Sequence, residues 1–122
     1  MKQLFKYCGV GGFGFLVDAL LFLVVALLID PVIMARLLAF WGAATATWLG
    51  NRYFTFSKGS QSPRFKQWCK HMLTAHVSGA VNLLVFTLLI SQIPIPFAFV
   101  IGVVSAMSLN FFLAKRYVFA QN

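Results

Sequence analysis

An acidic residue within the first apolar segment is the side chain of this sequence best placed for chemistry. Asp18 lies about ten residues into that segment, or roughly 15 Å along a helix. A carboxylate at such a depth in hydrocarbon costs about 2.5–3.5 kcal/mol, so it must face other helices, carry a proton or have a partner. Gly11 and Gly14 share its helical face and permit close helix approach. Two interpretations stay open: a coupling or gating carboxylate, and a buried hydrogen-bond acceptor.

Polar side chains at helical spacing mark the third apolar segment, and Asn110 lies in the fourth. Thr74, Ser78 and Asn82 recur every four residues, and His76 lies about one turn inside the same segment. Such stripes are more often packing faces than substrate paths, and a histidine near a helix end is more often a hydrogen-bonding group than a ligand. The candidates for a substrate path or for coupling are Asp18, Asn82, Ser78, His76 and Asn110.

Two basic and aromatic clusters follow the second and the fourth apolar segments. Their members are Asn51, Arg52, Tyr53, Lys115, Arg116 and Tyr117. An arginine guanidinium can bind a phosphate through two hydrogen bonds, and tyrosine prefers the membrane interface. The clusters therefore have two interpretations. One is anchoring of helix ends at the interface, and the other is a two-arginine site for a lipid phosphate.

The composition indicates which kind of structure must position these residues. Hydrophobic residues make up 61% of the chain, charged residues only 10%, and the mean hydropathy is +0.86. A soluble domain carries about 25% charged residues, so this surface must face lipid. The sequence predicts an all-α membrane protein with a single domain over residues 1–122. The four predicted spans are residues 8–29, 32–50, 71–90 and 97–114, with a polar loop over residues 51–70.

The basic residues predict how the spans are oriented. Nine of the ten Lys and Arg residues lie in the termini and the central loop. Only Arg36 lies toward the other side, where we expect Asp30 to pair with it. Short loops rich in Lys and Arg stay in the cytoplasm, so both termini and residues 51–70 are predicted to be cytoplasmic, in the inner membrane. The net charge of +8 then indicates contact with anionic lipids rather than with nucleic acid.

The two halves of the chain resemble each other. Residues 52–56 and 115–119 each follow an apolar span, begin with a basic residue and end in phenylalanine. Two repeated helical hairpins in a parallel arrangement would produce this pattern. The charge bias also predicts one fixed orientation, so any homo-oligomer would be parallel.

Enzymatic chemistry is not expected from this sequence. Asp18 and Asp30 are the only carboxylate side chains, and they lie too far apart to form an acid–base pair. Cys8 and Cys69 lack metal-ligand spacing and are interpreted as free thiols. We therefore predict no catalytic residue, no metal site and no cofactor.

Several of these motifs together resemble the GtrA-like family of small four-span membrane proteins. The resemblance rests on Phe5-Lys6-Tyr7-Cys8-Gly9-Val10-Gly11-Gly12, Asp18, Asn51-Arg52-Tyr53-Phe54-Thr55-Phe56, Asn110-Phe111-Phe112 and Lys115-Arg116-Tyr117-Val118-Phe119. This chain has Ala114 where many family members have asparagine.

The resemblance implies translocation of a polyprenyl-phosphate-linked sugar for cell-surface polysaccharides, alongside a membrane glycosyltransferase. It further implies that Arg52 and Arg116 hold the phosphate, with Asn51 and Lys115 beside them, and that Asp18 and Asn82 line the path of the sugar. Two alternatives remain. One is a small proton-coupled exporter of the multidrug type, and the other is a scaffold that docks a glycosyltransferase without transport. An antiparallel exporter dimer needs a weak Lys and Arg bias, which disfavours the first alternative.

Overall fold

Four α-helices form the part of the chain that the computed structural model describes, residues 1–59 and 62–120. Their bounds are Lys2–Ala26 for α1, Val32–Gly50 for α2, Arg64–Leu89 for α3 and Ile95–Leu113 for α4. All four are long enough and apolar enough to cross a membrane, since about 20 residues in a helix span the hydrocarbon core. The protein is therefore an all-helical, multi-pass membrane protein, as predicted.

Proline residues mark where three of these helices begin. Pro31, Pro63 and Pro94 directly precede α2, α3 and α4. Proline lacks a backbone N–H and cannot sit inside a helix, but the first residues of a helix need no N–H partner. The turns between the apolar segments are thus set by local sequence.

Both even-numbered helices end in a wider, π-helical turn. The first ending is Asn51–Thr55 after α2, and the second ending is Ala114–Val118 after α4. The next residue closes each turn, because Phe56 N donates to Asn51 O and Phe119 N donates to Ala114 O, both at 2.8 Å. As a result the two phenylalanine rings point inward and stack, with their centroids 4.8 Å apart.

The helices differ from the predicted spans by more than three residues at two of their ends. α1 begins at Lys2 rather than near residue 8, and α3 begins at Arg64 rather than near residue 71. The predicted polar loop over residues 51–70 is therefore helical at both of its ends. The difference arises because hydropathy marks the part of a helix that lies in hydrocarbon, whereas helical hydrogen bonding continues through flanking polar residues.

Buried side chains concentrate where α1 begins and where α2 and α4 end. This end cluster consists of Tyr7, Trp48, Phe56, Ala114, Val118 and Phe119. Elsewhere large apolar side chains such as Phe15 and Leu20 are exposed on the helix surfaces, which suits contact with lipid. The end cluster therefore joins the two halves of the chain at one end of the bundle.

Close contacts at glycines join the helices in pairs. α1 packs along α2, where Gly14 lies against Thr47 and Gly50 against Val10. α3 packs along α4, where Gly102 lies against Asn82. Helix pairs in membranes depend on such small residues, because hydrocarbon provides no hydrophobic drive for association.

Candidate functional site

Most of the positive charge lies at the end of the bundle that holds the end cluster. We call it the basic end, and its members are Lys2, Lys6, Arg52, Lys58, Arg64, Lys66, Lys70, Lys115 and Arg116. They lie at the starts of α1 and α3, in the two endings and just after the first ending. A hydrogen bond from Trp48 Nε1 to Gln67 Oε1 (3.1 Å) holds the start of α3 against the last turns of α2. The start of α3 therefore lies at the same end of the bundle as the last turns of α2.

Arg52 of the first ending points into the protein. Its Nη1 donates to Gln67 Oε1 at 2.5 Å and to Ser62 O at 3.4 Å, and its guanidinium lies 5.9 Å from the Trp48 ring centre. Gln67 is fully buried and Arg52 is only 8% exposed. The guanidinium is therefore engaged in joining α2 to α3.

Further polar contacts continue this junction toward the membrane interior. Trp68 Nε1 donates to Thr45 Oγ1 at 3.0 Å, and Thr47 Oγ1 lies 3.2 Å from His71 Nε2. The α2–α3 contact is therefore built largely from polar and aromatic side chains. Gln67 and His71 were not among the predicted site residues, although their four-residue spacing on α3 was a usable signal.

Three side chains of the second ending face outward. Lys115, Arg116 and Tyr117 are all exposed, and Lys70 Nζ lies 4.7 Å from the Tyr117 ring centre. The two π-helical turns align Arg52 with Lys115 rather than with Arg116. Arg52 and Arg116 therefore do not occupy equivalent positions in the structure.

The Ala114 position makes the two endings chemically different. In the first ending Thr55 Oγ1 donates to Asn51 Oδ1 at 2.9 Å. Ala114 stands where Asn51 stands in the first ending and has no side-chain acceptor. The remaining aromatic member of the first cluster, Tyr53, is exposed.

An open pocket of about 380 Å³ lies at the basic end, between the start of α1 and the two endings. Its lining residues are Gln3, Lys6, Thr55, Phe56, Ser57, Lys58, Lys115 and Phe119. Among the predicted phosphate-binding residues, only Lys115 lines it. Lys6 and Lys58 were counted in the charge pattern but not as site residues, because they lie in different segments of the sequence.

Asp18 forms an ion pair with Arg36 of α2. The contact is bidentate, with Arg36 Nη1 3.0 Å from Oδ1 and Nη2 2.9 Å from Oδ2 of the carboxylate. The expected pairing of Arg36 with Asp30 was wrong. Asp18 lies about 12 Å before the end of α1. The long side chain of Arg36 extends from α2 to reach it. The Asp18 side chain is 18% exposed, and that of Arg36 is 53% exposed.

Breaking this pair is expected to destabilise the α1–α2 contact modestly. A double-mutant cycle with Asp18→Asn and Arg36→Gln should give a coupling energy of about 0.6–1.7 kcal/mol, the range for polar contacts between membrane helices. The measurement is the unfolding free energy of the purified protein in detergent. A coupling energy near zero would show that the ion pair adds nothing to stability, and Asp18 would then have to be explained by transport alone.

The other predicted path residues lie in separate contacts. His76 Nδ1 lies 2.7 Å from Met72 O, and its Nε2 accepts from Trp41 Nε1 at 3.3 Å, so this ring takes part in the α2–α3 contact. Asn110 Nδ2 donates to Tyr7 Oη at 2.6 Å. Asn82 lies beside Gly102, at the α3–α4 contact.

Ser78 and Asn110 each carry a buried side-chain oxygen atom. Within the described residues, Ser78 Oγ and Asn110 Oδ1 have no hydrogen-bond partner. A buried oxygen of this kind can accept a hydrogen bond from a water molecule or a hydroxyl group. Among the described residues no hydrogen bond joins Ser78 or Asn110 to Asp18, so a common path for a substrate stays a prediction.

The comparisons with known proteins agree with the architecture. The chain matches no curated protein, whereas the family model described as GtrA/DPMS, transmembrane domain, matches residues 6–119. This range contains all four helices almost completely, together with both endings and, apart from Phe5, the residues that carried the resemblance to the GtrA-like family. The chain therefore belongs to the GtrA/DPMS transmembrane-domain family.

Proposed function

We propose that this protein moves a polyprenyl-phosphate-linked sugar across the cytoplasmic membrane, or acts as the accessory subunit of that process, in making cell-surface polysaccharides. Membership of the GtrA/DPMS family supports a role in handling lipid-linked sugars. The observation that carries the proposal is the basic end, where cationic side chains from separate segments surround a pocket at the edge of an apolar bundle. A phosphate on a long apolar chain has the complementary chemistry.

The orientation follows from the positive-inside rule. Nine of ten basic residues lie at the basic end, and cytoplasmic loops carry the excess of Lys and Arg. We therefore propose that both termini and the pocket face the cytoplasm, where a membrane glycosyltransferase would load the lipid. A strong bias of this kind favours one orientation for all copies and hence a parallel homo-oligomer.

The two helix pairs fit a parallel repeat of two hairpins. The first and second endings share their π-helical turn, the hydrogen bond that closes it and the final phenylalanine. Four helices enclose little volume, so we propose that the prenyl chain stays in the bilayer while the sugar passes along polar side chains. Asp18, Asn82, Ser78, His76 and Asn110 are the proposed residues for that passage.

Reconstitution in vesicles tests the proposal. The purified protein is placed in liposomes that contain a fluorescent polyprenyl-phosphate sugar, and an impermeant quencher is added outside. Label from the inner leaflet should then be quenched faster than in protein-free liposomes. The physical reason is that a polar headgroup crosses hydrocarbon slowly unless polar groups replace its water. Addition of the partner glycosyltransferase distinguishes direct translocation from an accessory role.

The alternatives give different results in the same vesicles. A scaffold would leave translocation at the protein-free rate, with or without the glycosyltransferase, and would contradict the proposal. A proton-coupled exporter would instead move a lipophilic cation in response to a pH gradient, and Asp18→Asn would abolish that response. The proposal predicts no such cation transport, since the basic end repels cations.

A further inference from the structure

We propose that the pocket between the start of α1 and the two endings binds a phosphate group through Lys6, Lys58 and Lys115. This inference rests on the proposed function and deepens it, because it assigns the anionic headgroup to a specific site. It also differs from the two-arginine site expected from the sequence. Only Lys115 is shared between the two sets.

The charge of the pocket lining favours an anion. Three lysines line a space of about 380 Å³, and a sphere of that volume is about 9 Å across, comparable to the screening length of about 8–10 Å in physiological salt. Positive charges held within about one screening length of one another experience mutual repulsion, which favours an anion in the pocket. Both carboxylate side chains of the sequence, Asp18 and Asp30, lie away from the basic end. A phosphate carries the charge that offsets this repulsion.

Residues around the lysines suit a phosphate that is carried by a lipid. Gln3 adds an amide that can donate hydrogen bonds to phosphate oxygens. The stacked rings of Phe56 and Phe119 form an apolar wall beside the charged groups. The lysine side of the pocket can bind a phosphate, and the phenylalanine side can contact an attached prenyl chain or sugar ring. Free phosphate would use only the lysine side.

The arginines of the two clusters are placed differently. Arg52 donates to Gln67 and Ser62 within the protein, whereas Arg116 is exposed and does not line the pocket. The lysines reach the same space from three segments that are far apart in sequence. Both endings contribute lining residues, and the phenylalanines that follow them, Phe56 and Phe119, stack side by side at the pocket.

Lipid binding to charge-matched variants tests the site. The pocket variant carries Lys6→Gln, Lys58→Gln and Lys115→Gln, and the control variant carries Lys2→Gln, Arg64→Gln and Lys66→Gln at exposed positions of the same end. Both variants lose the same charge. In phosphatidylcholine nanodiscs, native mass spectrometry should show about a tenfold or greater loss of polyprenyl monophosphate affinity for the pocket variant and about twofold or less for the control.

A second arm identifies the source of the phosphate. Inorganic phosphate is titrated against the bound polyprenyl monophosphate. Displacement at equal concentration indicates a site for free phosphate, whereas persistence of the lipid indicates that the apolar wall contributes. Equal losses in the two triple variants, or unchanged binding in the pocket variant, would overturn the inference, as would wild-type protein that binds neither probe.

The binding experiment and the vesicle experiment can fail separately. Wild-type protein that translocates the lipid while the pocket variant binds it normally would refute this site and leave the proposed function standing. Wild-type protein that binds through the three lysines but never translocates would support the site and refute the function. Tryptophan fluorescence during thermal unfolding verifies that both triple variants are folded.

Discussion

Arg52→Ala is expected to lower the free energy of unfolding by about 2–3 kcal/mol, because it removes a charge-assisted hydrogen bond from a buried junction. Arg52 contacts Gln67 and the Trp48 ring, and Gln67 is fully buried. The substitution also removes a cation–π contact worth about 0.5–2 kcal/mol. The measurement is denaturant unfolding of the purified protein in detergent, followed by tryptophan fluorescence, to which Trp48 contributes directly.

Arg116→Ala is the matched control for this prediction. Arg116 belongs to the second cluster and carries the same charge, but its side chain is exposed. Its loss should change the unfolding free energy by no more than about 0.5 kcal/mol. Arg52→Lys should give an intermediate result, since an ammonium group keeps the charge but loses the planar shape that bonds Gln67 and covers the Trp48 ring.

Lipid affinity separates a structural Arg52 from one that binds phosphate. If Arg52→Ala leaves stability unchanged and abolishes binding of a polyprenyl phosphate, the junction is not its role and the two-arginine site is favoured. If Arg52→Ala lowers stability and the folded Arg52→Lys protein binds lipid normally, Arg52 acts by joining α2 to α3. The two measurements together therefore decide between the sequence-based interpretation and the contacts of the structure.

The helices were predictable because their signals are local. An apolar run long enough to cross hydrocarbon, followed by proline, sets a boundary without reference to the rest of the fold. The predicted span over residues 32–50 has the same limits as α2, which follows Pro31. The starts of α1 and α3 were missed because lysine and glutamine side chains there lie beyond the hydrocarbon that hydropathy detects.

The contacts between helices were not predictable in the same way. The helices are apolar on most sides, so periodicity does not specify which face meets which helix. Gln67 and His71 were assigned to a loop and a span end, yet they form much of the α2–α3 junction. Their α2 partners, Trp48 for Gln67 and Thr47 for His71, lie at least 19 positions away in sequence.

The pocket illustrates a further limit. The sequence identified Lys115 and the aromatic residues around it, but the structure adds Lys6 and Lys58 through the inward turn of both endings. A π-helical turn depends on one extra residue between donor and acceptor, and a pattern of basic and aromatic residues does not reveal it. Asp18 was different, because its need for a partner was evident and only the identity of that partner, Arg36, was missing.

Gly102→Val is expected to destabilise the α3–α4 pair by about 2–3 kcal/mol, through overpacking at a close helix contact. A Cβ atom at Gly102 would lie 2.6 Å from Asn82 Oδ1 and 3.1 Å from Asn82 O. The amide side chain could rotate away, but the backbone oxygen moves only if the helices separate. The measurement is the unfolding free energy, as for Arg52. Since Asn82 is a proposed path residue, the variant should also alter translocation if that path exists.

Gly79→Val is the control for this contact, because Gly79 lies on α3 and a Cβ atom there meets no other helix of the described chain within 4 Å. Both substitutions place the same β-branched residue in a helix, so they carry the same change in helix propensity. The difference between the two unfolding free energies therefore reports the close contact of Gly102 with α3, of which Asn82 is the nearest part. Equal effects would contradict close packing of α3 on α4. A large effect at Gly102 with unchanged translocation would instead make Asn82 part of the helix interface and remove it from the path of the sugar.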